Sequence, residues 1–359
     1  MINSYNKTHS EFRLNGTHYA QEDLAELAYT FIKEGRKFEQ DIGEFLLDWI
    51  DDTDFIIVHT SGSTGQPKAI KIKKQAMVNS AIATGNFFNL KPGSTALHGL
   101  PTQFIAGKMM MVRALVLGLK LDCIAPKSVL HFNHKKNYAF CAMVPLQLEN
   151  SLNHINNIQH LIIGGAPVSE RLKSDVQNLK TNIYETYGMT ETVTHIAVKK
   201  LNSTPFSGQK RGEPYFKTLP NISISQDERD CLVIDAVQLS ETKIITNDVV
   251  KLHAKDAFEW LGRYDNIINS GGVKLAPEQI EAKIQGKIQG RFFIASETHS
   301  TLGEQLILVL ENKSNDIDSA VFSELEKFEK PKKIYNVITF IETKSGKINR
   351  KETLKTINP

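Results

Sequence analysis

From Asp54 onward, short apolar runs that read as strands alternate with longer stretches that read as helices, and this alternation constrains the fold more than any other feature. Strand-like runs fall at 55–58, 95–99, 119–125, 139–144, 160–163 and 182–184, and helical stretches at 75–88, 106–117, 146–152 and from Ser169, a candidate N-cap, to Leu179. Strands that take turns with helices imply a largely parallel sheet covered on both faces. Ahead of it, 1–50 reads as helical and amphipathic, notably 23–32 and 38–50. After about Asn202 the pattern shortens and becomes β-rich (222–225, 231–235, 242–245, 249–253), as expected of a small antiparallel unit. The last part mixes helix (278–288, 319–328) with strand (291–295, 305–310, 334–341). A chain of 359 residues exceeds the size at which one core usually keeps growing, so more than one domain is expected. The expectation is an α/β protein. A large N-terminal domain (1–264) has mixed, mostly parallel sheets covered by helices and a β-rich subdomain at about 203–262, and a small α+β C-terminal domain spans 265–359.

Between two of the strand-like runs lies His59-Thr-Ser-Gly-Ser-Thr-Gly-Gln-Pro-Lys68. Gly62 and Gly65 let successive N–H groups point into one concavity, and such nests hold anions. Thr60, Ser61, Ser63 and Thr64 add hydroxyls, and Lys68 adds a mobile positive charge. The pattern suits a polyphosphate. It differs from the common nucleotide P-loop, because the glycines are three apart, Pro67 precedes the lysine, and 69–72 continues as a strand. A Ser/Gly-rich surface turn is the plain alternative.

Charge and cysteine content narrow the classes further. Forty-three basic and 40 acidic residues leave a net charge of +3, too little to imply a nucleic-acid partner. Cys123, Cys141 and Cys231 are odd in number and far apart, which speaks against a disulfide framework or zinc site and suits a reducing compartment. No run approaches the roughly 20 apolar residues of a membrane span, and the N-terminus has no apolar signal core, so the cytoplasm is the expected location. The sequence leaves homo-oligomerisation open.

Four further segments turn the loop into a pattern: Gly164-Gly-Ala-Pro167, Tyr187-Gly-Met-Thr-Glu191, Gly262-Arg-Tyr-Asp265 with Gly271-Gly272, and Lys344-Ser-Gly-Lys-Ile-Asn-Arg350. Together, in this order, they resemble the adenylate-forming superfamily of acyl-CoA ligases, peptide-synthetase adenylation domains and luciferases, over roughly His59 to Lys351. The resemblance implies ATP, Mg²⁺ and CoA, with a small-molecule carboxylate as the partner. A carboxylate attacks the α-phosphate of ATP, giving an acyl-adenylate and diphosphate, and the site must supply positive charge and oriented donors where charge develops.

The same resemblance assigns the residues. Glu191 would hold Mg²⁺ and Thr190 would donate to the α-phosphate. Tyr187 and Gly188 would flank the adenine, with Gly164, Gly165 and Ala166 on its other side. Asp248 would bind the ribose hydroxyls, with Asn247 where a glycine is usual, and Arg263 would reach ribose or phosphate. Asp265 would be the hinge of a mobile C-terminal domain. Lys347 would bridge carboxylate and α-phosphate during adenylation and then withdraw, as Gly271 and Gly272 come to line a tunnel for the thiol. Taken singly, Glu191 reads as a solvated acid, Asp248 as a turn aspartate and Gly-Arg-x-Asp as a polar turn.

The segment Leu100 to Arg113, with Val144-Pro-Leu-Gln-Leu148 and Tyr187 to His195, is most similar to o-succinylbenzoate–CoA ligases of menaquinone biosynthesis. That acid keeps a second carboxylate, so a basic pocket group is expected. Arg113, six residues after Gly107, and Lys108 are candidates, with His195 and His98 beside them. Arg113 reads equally as a helix residue snorkelling from an apolar face. Another aryl- or acyl-CoA ligase, a stand-alone adenylating enzyme, and a non-catalytic nucleotide-binding homologue remain alternatives. Full-sized relatives carry a longer stretch before the phosphate loop, which puts the acyl pocket wall in question.

Overall fold

A computed structural model describes residues 7–60, 68–203, 212–311, 317–342 and 348–357. Among these, one sheet of 13 strands forms the frame. Its parallel part contains β1 (Arg13–Leu14), β5 (Thr95–His98), β6 (Lys120–Cys123), β7 (Tyr138–Met143), β8 (Ile158–Ile163) and β9 (Asn182–Gly188). These lie side by side in the order β9-β8-β7-β5-β6-β1, and β2 (Thr17–His18) pairs antiparallel at the edge. The helices between them are α3 (Lys74–Phe87), α4 (Ile105–Leu117), α5 (Pro145–Glu149) and α6 (Glu170–Asp175). Ser169 caps α6 as its type suggests, its hydroxyl accepting from Leu172 N–H at 3.2 Å. The β1–β2 hairpin was not anticipated, because two-residue strands carry no periodicity to read.

The β-rich region is antiparallel as expected, yet it continues the main sheet rather than forming its own. β10 (His195–Lys200) pairs with β9, β11 (Phe216–Thr218) with β10, and β15 (Ala257–Arg263) with β11. β14 (Ile244–Ala254), β13 (Cys231–Asp235) and β12 (Ser223–Gln226) complete the run. The segments at 242–245 and 249–253, read as two strands, form the single strand β14. Asn247-Asp248 looks like a turn, but the Asp248 carboxylate finds donors inside the sheet, so no turn is needed.

α1 (Leu24–Glu34) and α2 (Lys37–Ile50) pack together, with Ile42, Phe45, Leu46 and Trp49 of α2 buried at helical spacing. β3 (Phe55–Thr60) and β4 (Lys68–Lys73) form an antiparallel two-stranded sheet, so the phosphate-loop segment joins two strands as its sequence suggests. α4 is buried on all sides. Met109 to Leu115 are each within the core, and Arg113 is among them.

A second sheet of five strands holds β16 (Ile268–Ser270), β17 (Val273–Leu275), β18 (Phe292–His299), β19 (Gly303–Glu311) and β20 (Lys333–Val337), with α7 (Pro277–Ile284) and α8 (Arg350–Lys355) against it. It begins just past Asp265, with β16 at Ile268. Four helices are shorter than expected, and two of them are α5, which ends at Glu149 rather than Leu152, and α6, which ends at Asp175 rather than Leu179. α7 ends at Ile284, and 319–328 yields one 3₁₀ turn at Ser319–Phe322. Only Leu325 of that stretch is fully buried, too little apolar surface to hold a short helix that is marginal in water.

Glu281 of α7 accepts from Ile294 N–H and from Arg350 Nη2, each at 2.8 Å. Burial pushes its carboxyl up to about 7 from an ordinary 4.5, against the pull of Arg350 and with the help of Glu278. Since the folded value lies above the unfolded one, the native state holds the extra proton between these values. Stability therefore falls as pH rises from about 4.5 through 7. Glu281→Gln should flatten this slope in urea unfolding from pH 4 to 8, by on the order of 1–3 kcal/mol across the window. An unaltered slope would assign the pH dependence elsewhere.

Candidate active site

In an open α/β sheet the carboxyl ends of the parallel strands are where loops converge and ligands bind. β8 ends in Gly164, whose N–H donates to Met143 O at 3.2 Å, and exposed Gly165 and Ala166 follow. β9, its parallel neighbour, ends in Tyr187 and Gly188, and a 3₁₀ turn at Thr190–Thr192 comes next. These five residues therefore sit at adjacent strand ends.

Across the sheet, Asp248 of β14 lies opposite Arg263 of β15. Its carboxylate is 6% exposed and takes three donors. Tyr187 Oη donates to Oδ2 at 2.7 Å, Trp260 Nε1 to Oδ1 at 3.2 Å, and Arg263 Nη1 to Oδ1 at 3.4 Å. The Tyr187 ring is packed edge-on against Phe258 with centroids 5.1 Å apart, and burial beside Asp248 raises its hydroxyl pKa. Arg263 also reaches Asp265 Oδ2 at 3.3 Å, and Asn247 Nδ2 donates to the same oxygen at 3.3 Å. Four of the sequence-selected residues, Tyr187, Asp248, Arg263 and Asp265, thus meet in one hydrogen-bonded chain.

A cleft of about 490 Å³ opens between β4, α3, the Thr190–Thr192 turn and the segment 237–242. Lys71, Lys73, Thr190 and Glu191 line it, Glu191 being exposed. Two contacts fasten segment 237–242 across this cleft: Lys73 with Glu241, and Asn79 Nδ2 with Gln238 O at 2.8 Å. The turn itself is held by Thr192, whose hydroxyl accepts from Met189 N–H at 3.0 Å. Val193 follows with φ +67° and is buried, a strained conformation for a β-branched residue that fixes where Thr190 and Glu191 stand. Thr60 and Lys68 are paired across the foot of the adjoining hairpin. Ser61, Gly62, Ser63, Thr64, Gly65 and Lys347 lie outside the described residues.

The acyl-pocket candidates divide. Arg113 is 1% exposed, and its Nη2 stands 3.5 Å from His195 Nδ1. Its Nη1 contacts Met110 Sδ at 3.8 Å, and its Nε has no hydrogen-bond partner among the described residues. His195 Nε2 faces Thr84 Oγ1 at 3.4 Å, and that hydroxyl donates to Ser80 O at 3.0 Å. This network assigns the proton to Nε2 and leaves Nδ1 as an acceptor toward Arg113. Burial and the Arg113 charge hold His195 well below its ordinary pKa, so it is neutral. Burial pushes Arg113 down to about 9, which still leaves it charged at neutral pH. Among the described residues no carboxylate forms an ion pair with it.

Lys108 lies elsewhere, its Nζ 4.9 Å from the Phe45 ring centroid and its pKa lowered by burial. Gly107 lies against the Pro101 carbonyl. His98, pushed down to about 4 by burial, faces Thr102 Oγ1 at 3.2 Å. Gly271 (φ +58°) and Gly272 (φ +84°) form the two-residue turn joining β16 to β17, where both positions require the left-handed region. Reading the sequence missed Trp260, Thr84, Thr192 and Val193. Spacing gives no hint of the first two, since the partner of Thr84 lies on β10, 111 residues away, and that of Trp260 is met only across the register of β14 and β15. Thr192, inside the Thr190-Glu-Thr-Val run, carries the local signal of a hydroxyl that closes a turn.

Comparison with known proteins fits this geometry. Residues 16–226 match the protein family described as AMP-binding enzyme. The 2-succinylbenzoate–CoA ligase of Haemophilus influenzae is 25% identical over 334 residues, covering 82% of this chain and 68% of that protein. A solved structure from Dyadobacter fermentans, described as an AMP-forming acyl-CoA synthetase/AMP-acid ligase II-like protein, is 34% identical, with 93% of this chain and 98% of that one covered and a TM-score of 0.61. The o-succinylbenzoate coenzyme A synthetase of Bacillus subtilis, solved with ATP and magnesium ion, shares the fold at 18% identity, with 83% and 69% covered and a TM-score of 0.69.

A buried cation without a counter-charge lowers stability, and replacing it with an apolar side chain of similar volume is often neutral or favourable. Arg113→Met should therefore leave the ligand-free protein equally or more stable in urea unfolding. A loss of roughly 3 kcal/mol or more, the cost of breaking a buried pair, would show that Arg113 is a structural partner instead.

Proposed function

The chain belongs to the AMP-binding enzyme family, and on that premise we propose that it converts a carboxylate bearing a second anionic group, o-succinylbenzoate in the first instance, to its CoA thioester through an acyl-adenylate. It is an AMP-forming CoA ligase by class. The observation that carries the substrate reading is Arg113, a buried guanidinium facing a neutral His195, which follows the Thr190–Thr192 turn by three residues. An anionic substituent on the substrate offsets the cost of that buried charge, which a fatty acid or simple benzoate leaves unmet. The similarity to 2-succinylbenzoate–CoA ligases supports the same reading.

In this scheme Asp248 takes the ribose hydroxyls, and the strand ends at Gly164 to Ala166 and Tyr187 to Gly188 flank the adenine. The segment joining β3 and β4 receives the phosphates, and β4 itself lies against the Thr190–Thr192 turn. Glu191 fits Mg²⁺, since it is an exposed carboxylate lining the cleft and this ion is commonly held by one or two carboxylates with phosphate oxygens. When bound, the ion offsets the phosphate charge that repels the incoming carboxylate. Thr190 donates to the α-phosphate. Lys347, which lies between Glu342 and Ile348 in sequence, neutralises the charge developing between carboxylate and α-phosphate. The C-terminal unit then turns about Asp265, withdrawing Lys347 so that the thiol of CoA can attack the acyl carbonyl and expel AMP.

Diphosphate release should appear with ATP and o-succinylbenzoate, with CoA converting the adenylate to thioester. Turnover with a fatty or simple benzoic acid and none with o-succinylbenzoate would end the substrate reading, and inactivity with every acid would leave a nucleotide-binding homologue. Arg113→Met should raise KM for the dicarboxylate far more than KM for ATP. Lys347→Ala should lower adenylation by about 100-fold or more while sparing thioester formation from supplied acyl-adenylate. Equal losses in both half-reactions would refute the role given to Lys347.

A further inference from the structure

Trp260 was not selected by any motif, and its position depends on an irregularity in the sheet. Asp248 pairs with Arg263, and Val249 with Gly262, but Val250 then pairs with Trp260, so Leu261 is an extra residue in β15. Residues directly opposite in an antiparallel pair share a face, and residues two apart share it too. Without the bulge, Leu261 would stand on the face of Asp248 and Trp260 would point to the other side. The one-residue insertion reverses this parity and re-aims the indole. The bulge also depends on its neighbour Gly262, which has φ +152°, and a Cβ there would come within 2.6 Å of Glu278 Oε2.

The redirected indole N–H donates to Asp248 Oδ1 at 3.2 Å, while Tyr187 holds Oδ2 at 2.7 Å. A carboxylate offers about four acceptor sites. Tyr187 and Trp260 occupy two of them from half-buried positions, and Arg263 takes a third from a more exposed one at 3.4 Å. Two sites become open to a diol once Arg263 turns away, and the two aromatic donors fix the carboxylate's plane throughout. We infer that Trp260 is a positioning residue for ribose recognition: aimed by the Leu261–Gly262 bulge, its indole N–H orients the Asp248 carboxylate for the 2′,3′-diol of the nucleotide. This rests on the reading of Asp248 as the ribose ligand.

The test needs no acyl substrate. ATP and 2′,3′-dideoxy-ATP are titrated calorimetrically, with Mg²⁺, into the wild-type protein, Trp260→Phe and Asp248→Asn. Trp260→Phe keeps an aromatic ring and loses only the N–H and its ring partner. ATP affinity should fall about tenfold, the scale of one hydrogen bond to a charged group, while dideoxy-ATP affinity changes less than about twofold. Unchanged or tighter ATP binding, or an equal fall for both nucleotides, overturns the inference. A second readout uses the unaltered protein. Of the chain's two tryptophans, Trp49 is fully buried, so two indole N–H resonances are expected in the ¹⁵N-labelled protein. The one belonging to Trp260 should shift with ATP and stay in place with dideoxy-ATP, and a resonance that ignores both nucleotides overturns the inference. If Asp248→Asn binds ATP as tightly as wild type, the ribose assignment itself fails. If Asp248→Asn weakens ATP binding and Trp260→Phe does not, only the role of Trp260 falls.

Discussion

The unbroken hydrogen-bonded ladder from β9 through β10, β11 and β15 to β14 is the constraint on which the site depends. It carries Tyr187 and Asp248, 61 residues apart in sequence, to within 2.7 Å of each other. Each strand pairing along that path must hold its register, because a slip of one residue turns every side chain to the other face. The β-rich region is therefore better understood as an extension of the parallel sheet than as a lobe of its own. Its antiparallel strands deliver the Asp248 carboxylate, and the parallel strands deliver the turns that follow Gly164 and Gly188.

Two buried charges in this frame are treated in opposite ways. Asp248 has its hydrogen-bonding capacity largely met in the free protein, by two aromatic donors and Arg263. Such a group is held in place by its two aromatic donors, with Arg263 as the exchangeable partner. Arg113 is surrounded by methionine, histidine and helix, with its Nε unpartnered among the described residues. A charge in that condition costs stability in the free state, and an incoming anion relieves the cost. One buried charge is thus met by fixed donors within the chain, and the other is left without a counter-charge among the described residues.

How much was legible beforehand follows from the range of the interactions involved. α2, α3 and α4 and the strands from β3 to β9 read correctly, because each spans enough residues for its apolar period to show. The stretch 319–328 misled for the opposite reason, since a helical composition there lacks the buried surface that would stabilise a helix. Asn247-Asp248 suggested a break in β14, because a turn is the local answer for two such residues. The distant answer, donors from β9 and β15, carries no local sign.

The sequence by itself determined the succession of elements, the hydroxyl- and glycine-rich hairpin, the strand ends at Gly164 and Tyr187, and the family to which these belong. All of these arise from near neighbours in the chain, where residue type and spacing act directly on the backbone. Only the tertiary structure decided that Arg113 is sealed against a neutral His195, that Lys108 faces the other way, and that a single extra residue in β15 turns Trp260 toward Asp248. Those outcomes depend on packing between elements and on strand register, which are set by partners on other elements, from 12 to 82 residues away.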